Sequence, residues 1–411
     1  MIAIPWYLLQ EPDGNWLVAT LAGTVTFASI FWGLYAGTLV DRYNRKGIFL
    51  ASNVVDASVL IGVAIWGFAQ GGLSFPFIAL VYTITIFTFN LHYPNVYALI
   101  QELFEPAYYS KINSAMEIQH QTTSVLGMMV GGLLLDGTPS WSWWPGAWAF
   151  DPWPLHQIIF MDGITYVLAF GLISLIPYRR QKGTRTDKGA VLERLQQGFN
   201  YLRTHRPIMI FGIASHMVFF ALIVVIQVGM PIYVMDYLEE PAIVLSSFKG
   251  IYSIGAVSAG ILGLAIFFKR GNLIRQVIGL VGIAGILFTS FALFRSVWVT
   301  LLLAYSLGIC NAGTRILRIT YLVKVVPNHV IGRVNAFFTV VNLLMRVSFI
   351  SLLTLPFFAD HGENIIYGFV LLGICMFVAA AILVLNFPSF DQDAAQPERK
   401  TLEEKADLAG S

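Results

Sequence analysis

Two arginines lie inside an apolar stretch of the chain, where a charged side chain needs a partner. Arg315 and Arg318 are three residues apart in this stretch, so they share one face of a helix. An ionised group inside a membrane is costly and must find an anion, a carbonyl group or water. The pair, together with Asn311, is typical of a site that binds or gates an anionic group. Alternatively, both side chains extend toward the nearby end of the segment, where their charges reach water.

A third arginine lies within another apolar segment. Arg346 is one helical turn from Asn342, and it is placed near the middle of the segment that its sequence surroundings predict. Its partner cannot be read from the sequence. We therefore count Arg346 with the first two arginines as a candidate binding residue.

Acidic and imidazole side chains are further candidates. Glu117 and His120 are three residues apart near one end of an apolar segment, so they also share a helix face. They could pair with either arginine of the first pair when that side of the protein closes; an ordinary position at the membrane interface is the alternative. His92 and His216 are candidate cavity residues, although a lone histidine in such a segment is more often a packing residue.

The composition places these residues in a membrane protein. The chain has 411 residues, of which 57% are hydrophobic and only 12% are charged. A soluble protein of this size does not tolerate that balance at its surface. A membrane-spanning helix needs about 20 mostly apolar residues. The segments that meet this requirement cover residues 16–40, 47–69, 75–99, 113–136, 157–177, 207–234, 246–268, 276–294, 298–323, 335–357 and 364–387.

A short cationic turn joins the first two of these segments. Its marked positions are Gly37, Asp41, Arg42, Arg45 and Lys46. This stretch resembles the signature loop between the second and third helices of the major facilitator superfamily, with Asn44 where that family usually has glycine. Asparagine tolerates the left-handed backbone better than most residues, so we expect the turn to be kept. An ordinary basic loop at the cytoplasmic face is the alternative.

The resemblance implies an all-α membrane protein built from two six-helix bundles. Residues 1–10 form an apolar run about half as long as a spanning helix needs. We therefore expect the sequence to begin partway through helix 1 and to continue with eleven complete helices; a genuine eleven-helix protein is the alternative. The predicted divisions are an N-terminal bundle at 1–177, a linker with an amphipathic helix at 178–206, a C-terminal bundle at 207–387 and a disordered tail at 388–411.

The loop charges predict the orientation in the membrane. Arginine and lysine concentrate in alternate loops, including the linker, while the intervening loops carry aspartate and glutamate. Because basic loops stay on the cytoplasmic side, the linker and the C-terminus are expected in the cytoplasm. The sequence thus predicts a multi-pass protein of the inner cell membrane.

The motifs of other function classes are absent from the sequence. It contains no phosphate-binding glycine loop and no metal or nucleophile motif, and Cys310 and Cys375 lie singly in apolar segments. An ATP-driven pump and an enzyme are therefore disfavoured. The resemblance, closest to drug and siderophore exporters, implies a secondary transporter that works by alternating access. It would use protons to drive efflux of a drug-like or siderophore-like organic solute.

The resemblance also implies the partners. We expect a monomer in the lipid bilayer that binds a small-molecule substrate and protons, without cofactor, metal or nucleic acid. Two alternatives stay open. One is a carrier of anions or lysophospholipids, suggested by the arginines, and the other is a truncated membrane protein that does not transport.

Overall fold

The computed structural model describes residues 3–103, 109–137, 150–178, 191–262 and 272–390. In this part of the chain the secondary structure is helical. The helices of the first half are α1 (Ala3–Leu8), α2 (Gly14–Arg42), α3 (Arg45–Gln70), α4 (Phe75–Leu103), α5 (Tyr109–Asp136), α6 (Leu155–Ser174) and α7 (Val191–Thr204). Those of the second half are α8 (Arg206–Val224), α9 (Met230–Ile232), α10 (Ala242–Leu262), α11 (Leu273–Leu293), α12 (Val297–Val325), α13 (Asn328–Leu352), α14 (Pro356–Ala359) and α15 (Ile365–Leu385).

The predicted spans coincide with the long helices. Among the described residues, ten helical segments are long and apolar enough to cross a membrane. The span predicted at 113–136 falls on α5, whose apolar part, Thr122–Asp136, is shorter than the others. The predicted fold class, an all-α membrane protein, is confirmed.

The helix that begins with α8 continues past its α-helical part in a way that the sequence pattern did not predict. Two π-helical segments, Val225–Gly229 and Tyr233–Tyr237, flank the short helix α9. Pro231 lies between them and lacks a backbone N–H, so the regular hydrogen-bond ladder cannot run through this region. The span therefore extends to Tyr237, beyond the predicted end at residue 234.

The described helices belong to two compact units. Unit 1 comprises Met1–Lys188, Val234–Gly250 and Thr354–Asp360; unit 2 comprises Gly189–Tyr233, Ile251–Leu353 and His361–Ser411. In unit 1, α3 packs along α6, with Gly163 against the side chains of Leu60 and Ile61. In unit 2, α8 packs against α12, α13 and α15, while α11 packs against α12 and α15.

The amphipathic pattern in the predicted linker forms α7, which packs on α13 within unit 2. Gly198 lies against the backbone carbonyl of Arg333, and the rings of Phe199 and Phe337 are 5.7 Å apart. At the other end of the chain, Phe390 is buried and contacts the ring of Phe211. The rest of the tail predicted at 388–411 lies outside the described residues.

Two glycines let α10 and α12 approach each other closely in unit 2. Gly255 on α10 faces the backbone carbonyl of Tyr305 on α12, and Gly308 on α12 faces the backbone carbonyl of Tyr252 on α10. A Cβ atom at either position would overlap the facing carbonyl oxygen. Small residues at such crossings allow helix backbones to pack together in a membrane, where lipid gives little hydrophobic drive for association.

We expect Gly255→Ala to lower the free energy of unfolding by about 1–3 kcal/mol, because the helices must move apart to admit the methyl group. Gly260→Ala on the same helix is the matched control, since Gly260 is exposed and faces open space. It should leave stability unchanged or raise it by up to about 1 kcal/mol through helix propensity. Thermal unfolding of the detergent-purified protein measures both. Equal stability of the two variants would contradict the close crossing.

Candidate functional site

A cluster of polar side chains lies around the middle of α8 in unit 2. Arg318 of α12 is 7% exposed, and its Nη1 donates a hydrogen bond of 3.1 Å to the backbone carbonyl of Ser215. The predicted alternative, in which Arg318 extends toward the end of its helix, is therefore wrong. The guanidinium turns inward and contacts a carbonyl group, one of the partners that an intramembrane cation needs.

His216 lies next to this contact. Its Nδ1 is 2.7 Å from the carbonyl oxygen of Gly212, and its ring stacks on Phe338 of α13 with 5.2 Å between the centroids. Gly212 has no side chain, which leaves room for the Phe338 ring against α8. His216 is thus held by packing and by its own helix, as in the packing role considered from the sequence, yet it lies beside the Arg318 contact.

Asn342 and Arg346 lie on the same side of α13 as the aromatic residues that contact α8. Phe338 packs on His216, and Phe349 packs on Phe220 at 5.9 Å between the centroids. Asn342 and Arg346 fall between these two rings along the helical stripe. The Nδ2 of Asn342 and the Nε of Arg346 are buried and have no hydrogen-bond partner.

The position of Arg346 in its helix differs from the prediction. The span predicted at 335–357 placed it near the middle, whereas α13 begins at Asn328 and ends at Leu352. Arg346 is therefore about 9 Å from the C-terminal end of the helix. Asn342 lies one turn before Arg346 on the same face of the helix.

The remaining candidates on α12 lie one turn apart. Asn311 is buried, and its Nδ2 donates a hydrogen bond of 2.8 Å to the hydroxyl of Tyr252 on α10. Arg315 is half-buried, between Asn311 and Arg318 along the helix. Asn311 therefore joins α10 to α12, while the two arginines present positive charge one turn further along.

Unit 2 offers these cations almost no acidic partner. No aspartate or glutamate occurs between Glu240 and Asp360. Among the described residues of unit 2, the acids are Glu193 and Glu363, and both are exposed. The buried Arg318 and the half-buried Arg346, whose Nε is buried, therefore have no described carboxylate of this unit as a counter-ion.

The cationic turn between α2 and α3 lies in unit 1. Helix α2 ends at Arg42, and Tyr43 is extended. Asn44 has φ −66° and caps α3, because its Oδ1 accepts a hydrogen bond of 2.9 Å from the N–H of Gly47. The expected left-handed backbone at Asn44 is thus wrong. Asparagine fits here as an N-cap, a position where its side chain replaces a missing helical hydrogen bond.

Lys46 connects this turn to the end of α6. Its Nζ donates hydrogen bonds of 2.8 Å to the carbonyl of Ser174 and 2.7 Å to the carbonyl of Ile176. The last carbonyls of a helix lack helical partners and carry partial negative charge, so a lysine there is favourable. Asn95 of α4 donates a hydrogen bond of 2.9 Å to the backbone carbonyl of Arg45. The side chains of Asp41 and Arg42 and the surroundings of Gly37 are outside the described part of the structure.

The candidates on α4 and α5 lie in unit 1. His92 is exposed on α4, with its ring edge-on to Phe49 at 5.1 Å. The side chains of Glu117 and His120 on α5 lie outside the described residues, so their proposed pairing with the arginines stays a prediction.

Sequence reasoning missed one buried cation, Lys249 of α10, which is 5% exposed. The predicted span started at residue 246 and so placed Lys249 in the first turn, close to water. The helix in fact starts at Ala242, which puts Lys249 about two turns, or about 10 Å, inside it. The signal was present in the sequence as a charged residue within an apolar run, but it required the correct start of the helix.

The early start of α10 has its own cause. Asp136, at the end of α5, accepts hydrogen bonds from the backbone N–H groups of Ala242 at 3.0 Å and Ile243 at 2.5 Å. A carboxylate at a helix N-terminus satisfies free N–H groups and interacts favourably with the helix dipole. This cap comes from a residue far away in the sequence, so local patterns could not reveal it.

We expect Lys46→Met to loosen the end of α6, because two carbonyls lose their charged donor. The free energy of unfolding should fall by about 1 kcal/mol. Amide hydrogen exchange of Leu175 and Ile176 should become faster, since their N–H groups close the turn that Lys46 holds. Lys46→Arg, which keeps a donor, is the control. Unchanged exchange in Lys46→Met would contradict this role.

Comparisons with known proteins agree with this architecture. A bacterial homologue of the human lysosomal transporter Spinster, in an inward-facing and unoccupied conformation, superposes with a TM-score of 0.68 at 14% identity, covering 95% of each chain. A bacterial homologue of the iron transporter ferroportin, in an inward-facing state, has a TM-score of 0.68 at 17% identity, covering 93% of this chain and 94% of the other. A D-xylose–proton symporter has a TM-score of 0.66 at 15% identity, covering 93% and 92%.

Sequence comparison identifies the family. No curated protein sequence matches the chain. The model of the Major Facilitator Superfamily matches residues 1–350, which is most of the chain. The chain belongs to the Major Facilitator Superfamily.

Proposed function

We propose that this protein is a secondary active exporter of a drug-like or siderophore-like organic solute, driven by protons and working by alternating access. The observation that carries the proposal is the turn between α2 and α3, where Lys46 binds the two carbonyls at the end of α6. These contacts involve the ends of helices and exposed groups, so they can be broken and remade without unpacking an apolar core. Such a turn is suited to hold one conformation and release it.

Coupling to protons needs a group that can take up and release a proton inside the protein. Asp56 of α3 is fully buried. Its Oδ1 accepts a hydrogen bond of 2.9 Å from the hydroxyl of Thr88 on α4, while its Oδ2 is buried with no partner. A buried carboxylate oxygen without a donor is a favourable place to bind a proton. The fold is compatible with such coupling, since a solved structure of this fold is named as a proton symporter.

A carrier of organic anions or lysophospholipids is the second candidate. It is favoured by the buried Arg318, by the buried Nε of Arg346 and by the absence of acids between Glu240 and Asp360. Export and anion transport are compatible, because the first describes the direction of movement and the second describes the charge of the substrate. We propose that the linker and C-terminus lie in the cytoplasm, on the distribution of basic loops, and that the protein is a monomer of the inner cell membrane.

Transport itself is tested with the full chain in membrane vesicles. An imposed proton gradient should drive movement of the dye ethidium, used as a drug-like probe, or of 5-carboxyfluorescein, used as an organic anion. Collapse of the gradient with an uncoupler should stop it. Movement of neither dye above that of empty vesicles would favour a membrane protein that does not transport.

We expect Asp41→Asn to slow transport about tenfold, equivalent to about 1.4 kcal/mol in the barrier, with little change in the apparent affinity for the dye. The reason is that Asp41 belongs to the turn between α2 and α3, so its charge affects the exchange between conformations. Asp13→Asn, in the exposed loop before α2, is the control. Unchanged turnover in Asp41→Asn would remove the switching role of the turn.

We expect Asp56→Asn to separate substrate movement from the proton gradient. The amide cannot take up a proton at this position, although it can still accept from Thr88. Exchange of labelled for unlabelled dye should continue, while accumulation against a gradient should be lost. Accumulation by Asp56→Asn equal to that of the unmodified protein would exclude Asp56 as the coupling residue.

A further inference from the structure

We propose that Asn342 and Arg346 form a two-point binding site for the oxyanion group, a carboxylate or a phosphate, of an organic substrate. This inference rests on the proposed transport function and specifies its substrate class. Its basis is that two buried hydrogen-bond donors, the Nδ2 of Asn342 and the Nε of Arg346, have no acceptor. A buried donor without an acceptor costs about 1–3 kcal/mol, and more when it is charged. Two of them one turn apart on one helix indicate an acceptor that arrives from outside.

The position of the two donors excludes lipid as their surroundings. They lie on the stripe of α13 between Phe338 and Phe349, which contact His216 and Phe220 of α8. Asn342 is only 3% exposed. The stripe that carries the pair therefore faces the neighbouring helix.

The charge around the site favours an anion. Arg318 reaches the same part of α8, where its Nη1 contacts the carbonyl of Ser215. A carbonyl group accepts a hydrogen bond but does not neutralise the positive charge. The described acids of unit 2, Glu193 and Glu363, are exposed. The buried Arg318 and the half-buried Arg346, without a described carboxylate of their unit, therefore lower the cost of bringing an anion out of water.

The donor chemistry fits an oxygen anion. A guanidinium group presents several N–H donors in one plane, a geometry that matches the oxygens of carboxylate and phosphate groups. The amide of Asn342 adds a neutral donor about 5–6 Å along the same face, measured between Cβ atoms one turn apart. A single spherical anion cannot use both positions as well as a group with two or three oxygens.

The experiment measures binding, so it does not depend on transport. Thermal unfolding of the full chain in detergent is recorded with benzoate, phenyl phosphate, inorganic phosphate and lysophosphatidic acid. Benzamide serves as the uncharged match to benzoate. Benzoate or phenyl phosphate should raise the melting temperature, and benzamide should not. A shift with lysophosphatidic acid alone would assign the oxyanion to a lipid headgroup, whereas a shift with inorganic phosphate alone would contradict an organic substrate.

Substitutions test the assignment to these two residues. Arg346→Gln should weaken anion binding about 10-fold to 100-fold, the loss typical of a charged hydrogen bond, and Asn342→Ala should weaken it by about 3-fold to 10-fold. Arg333→Gln is the control, since it removes an arginine from the same helix near its opposite end. If Arg346→Gln does not fold, Arg346→Lys retains the charge but loses the planar donor group, and should still weaken binding.

Three results would overturn the site. They are an equal shift by benzoate and benzamide, no shift by any of the anions, and unchanged affinity in both Asn342→Ala and the Arg346 variants. Binding that follows these predictions in a protein that moves no dye would keep the site and overturn the proposed transport. Dye transport with no anion binding would keep the proposed transport and overturn the site.

Discussion

The hydrocarbon interior of a membrane supplies no hydrogen-bond partner, and the rest of this structure depends on that constraint. Backbone groups satisfy it by forming helices, which explains why the long apolar segments of the described chain are helical. Charged side chains must satisfy it individually. Asp136 accepts hydrogen bonds from the N–H groups of Ala242 and Ile243, and Arg318 donates one to the carbonyl of Ser215. Among the groups without a hydrogen-bond partner, the Nδ2 of Asn342 and the Nε of Arg346 are two donors one turn apart on one helix.

The same constraint determined what the sequence could predict. Apolar segments must be about as long as the membrane is thick, so hydropathy located the helices to within a few residues. The signature turn was also readable as a cap, because Asn44 acts on its near neighbour Gly47, whereas the partners of Lys46 are distant in the sequence. Helix ends were less accurate where a distant residue fixes them. Asp136 moves the start of α10 upstream, and that shift hid the depth of Lys249.

Partners of intramembrane charges could not be predicted for a related reason. Arg315, Arg318 and Arg346 were all visible as arginines in apolar runs, but the helix that each one faces is set by packing between distant segments. The stripe of α13 toward α8 depends on Gly212, which admits the ring of Phe338. Nothing in the sequence near Arg346 contains that information. The side-chain periodicity of α13 assigned neighbours along the helix correctly, and the facing helix had to come from the structure.

Unit 1 includes segments of the chain that are synthesised after the linker. Its residues include Val234–Gly250 and Thr354–Asp360 in addition to the first 188. The carboxylate of Asp136 bonds Ala242 and Ile243, and the amide of Asn15 donates a hydrogen bond of 2.7 Å to Asp236; all three partners lie in Val234–Gly250. During synthesis, these hydrogen bonds can therefore form only after the segment Val234–Gly250 has been made. Completion of the first unit must wait for the insertion of helices that follow the linker.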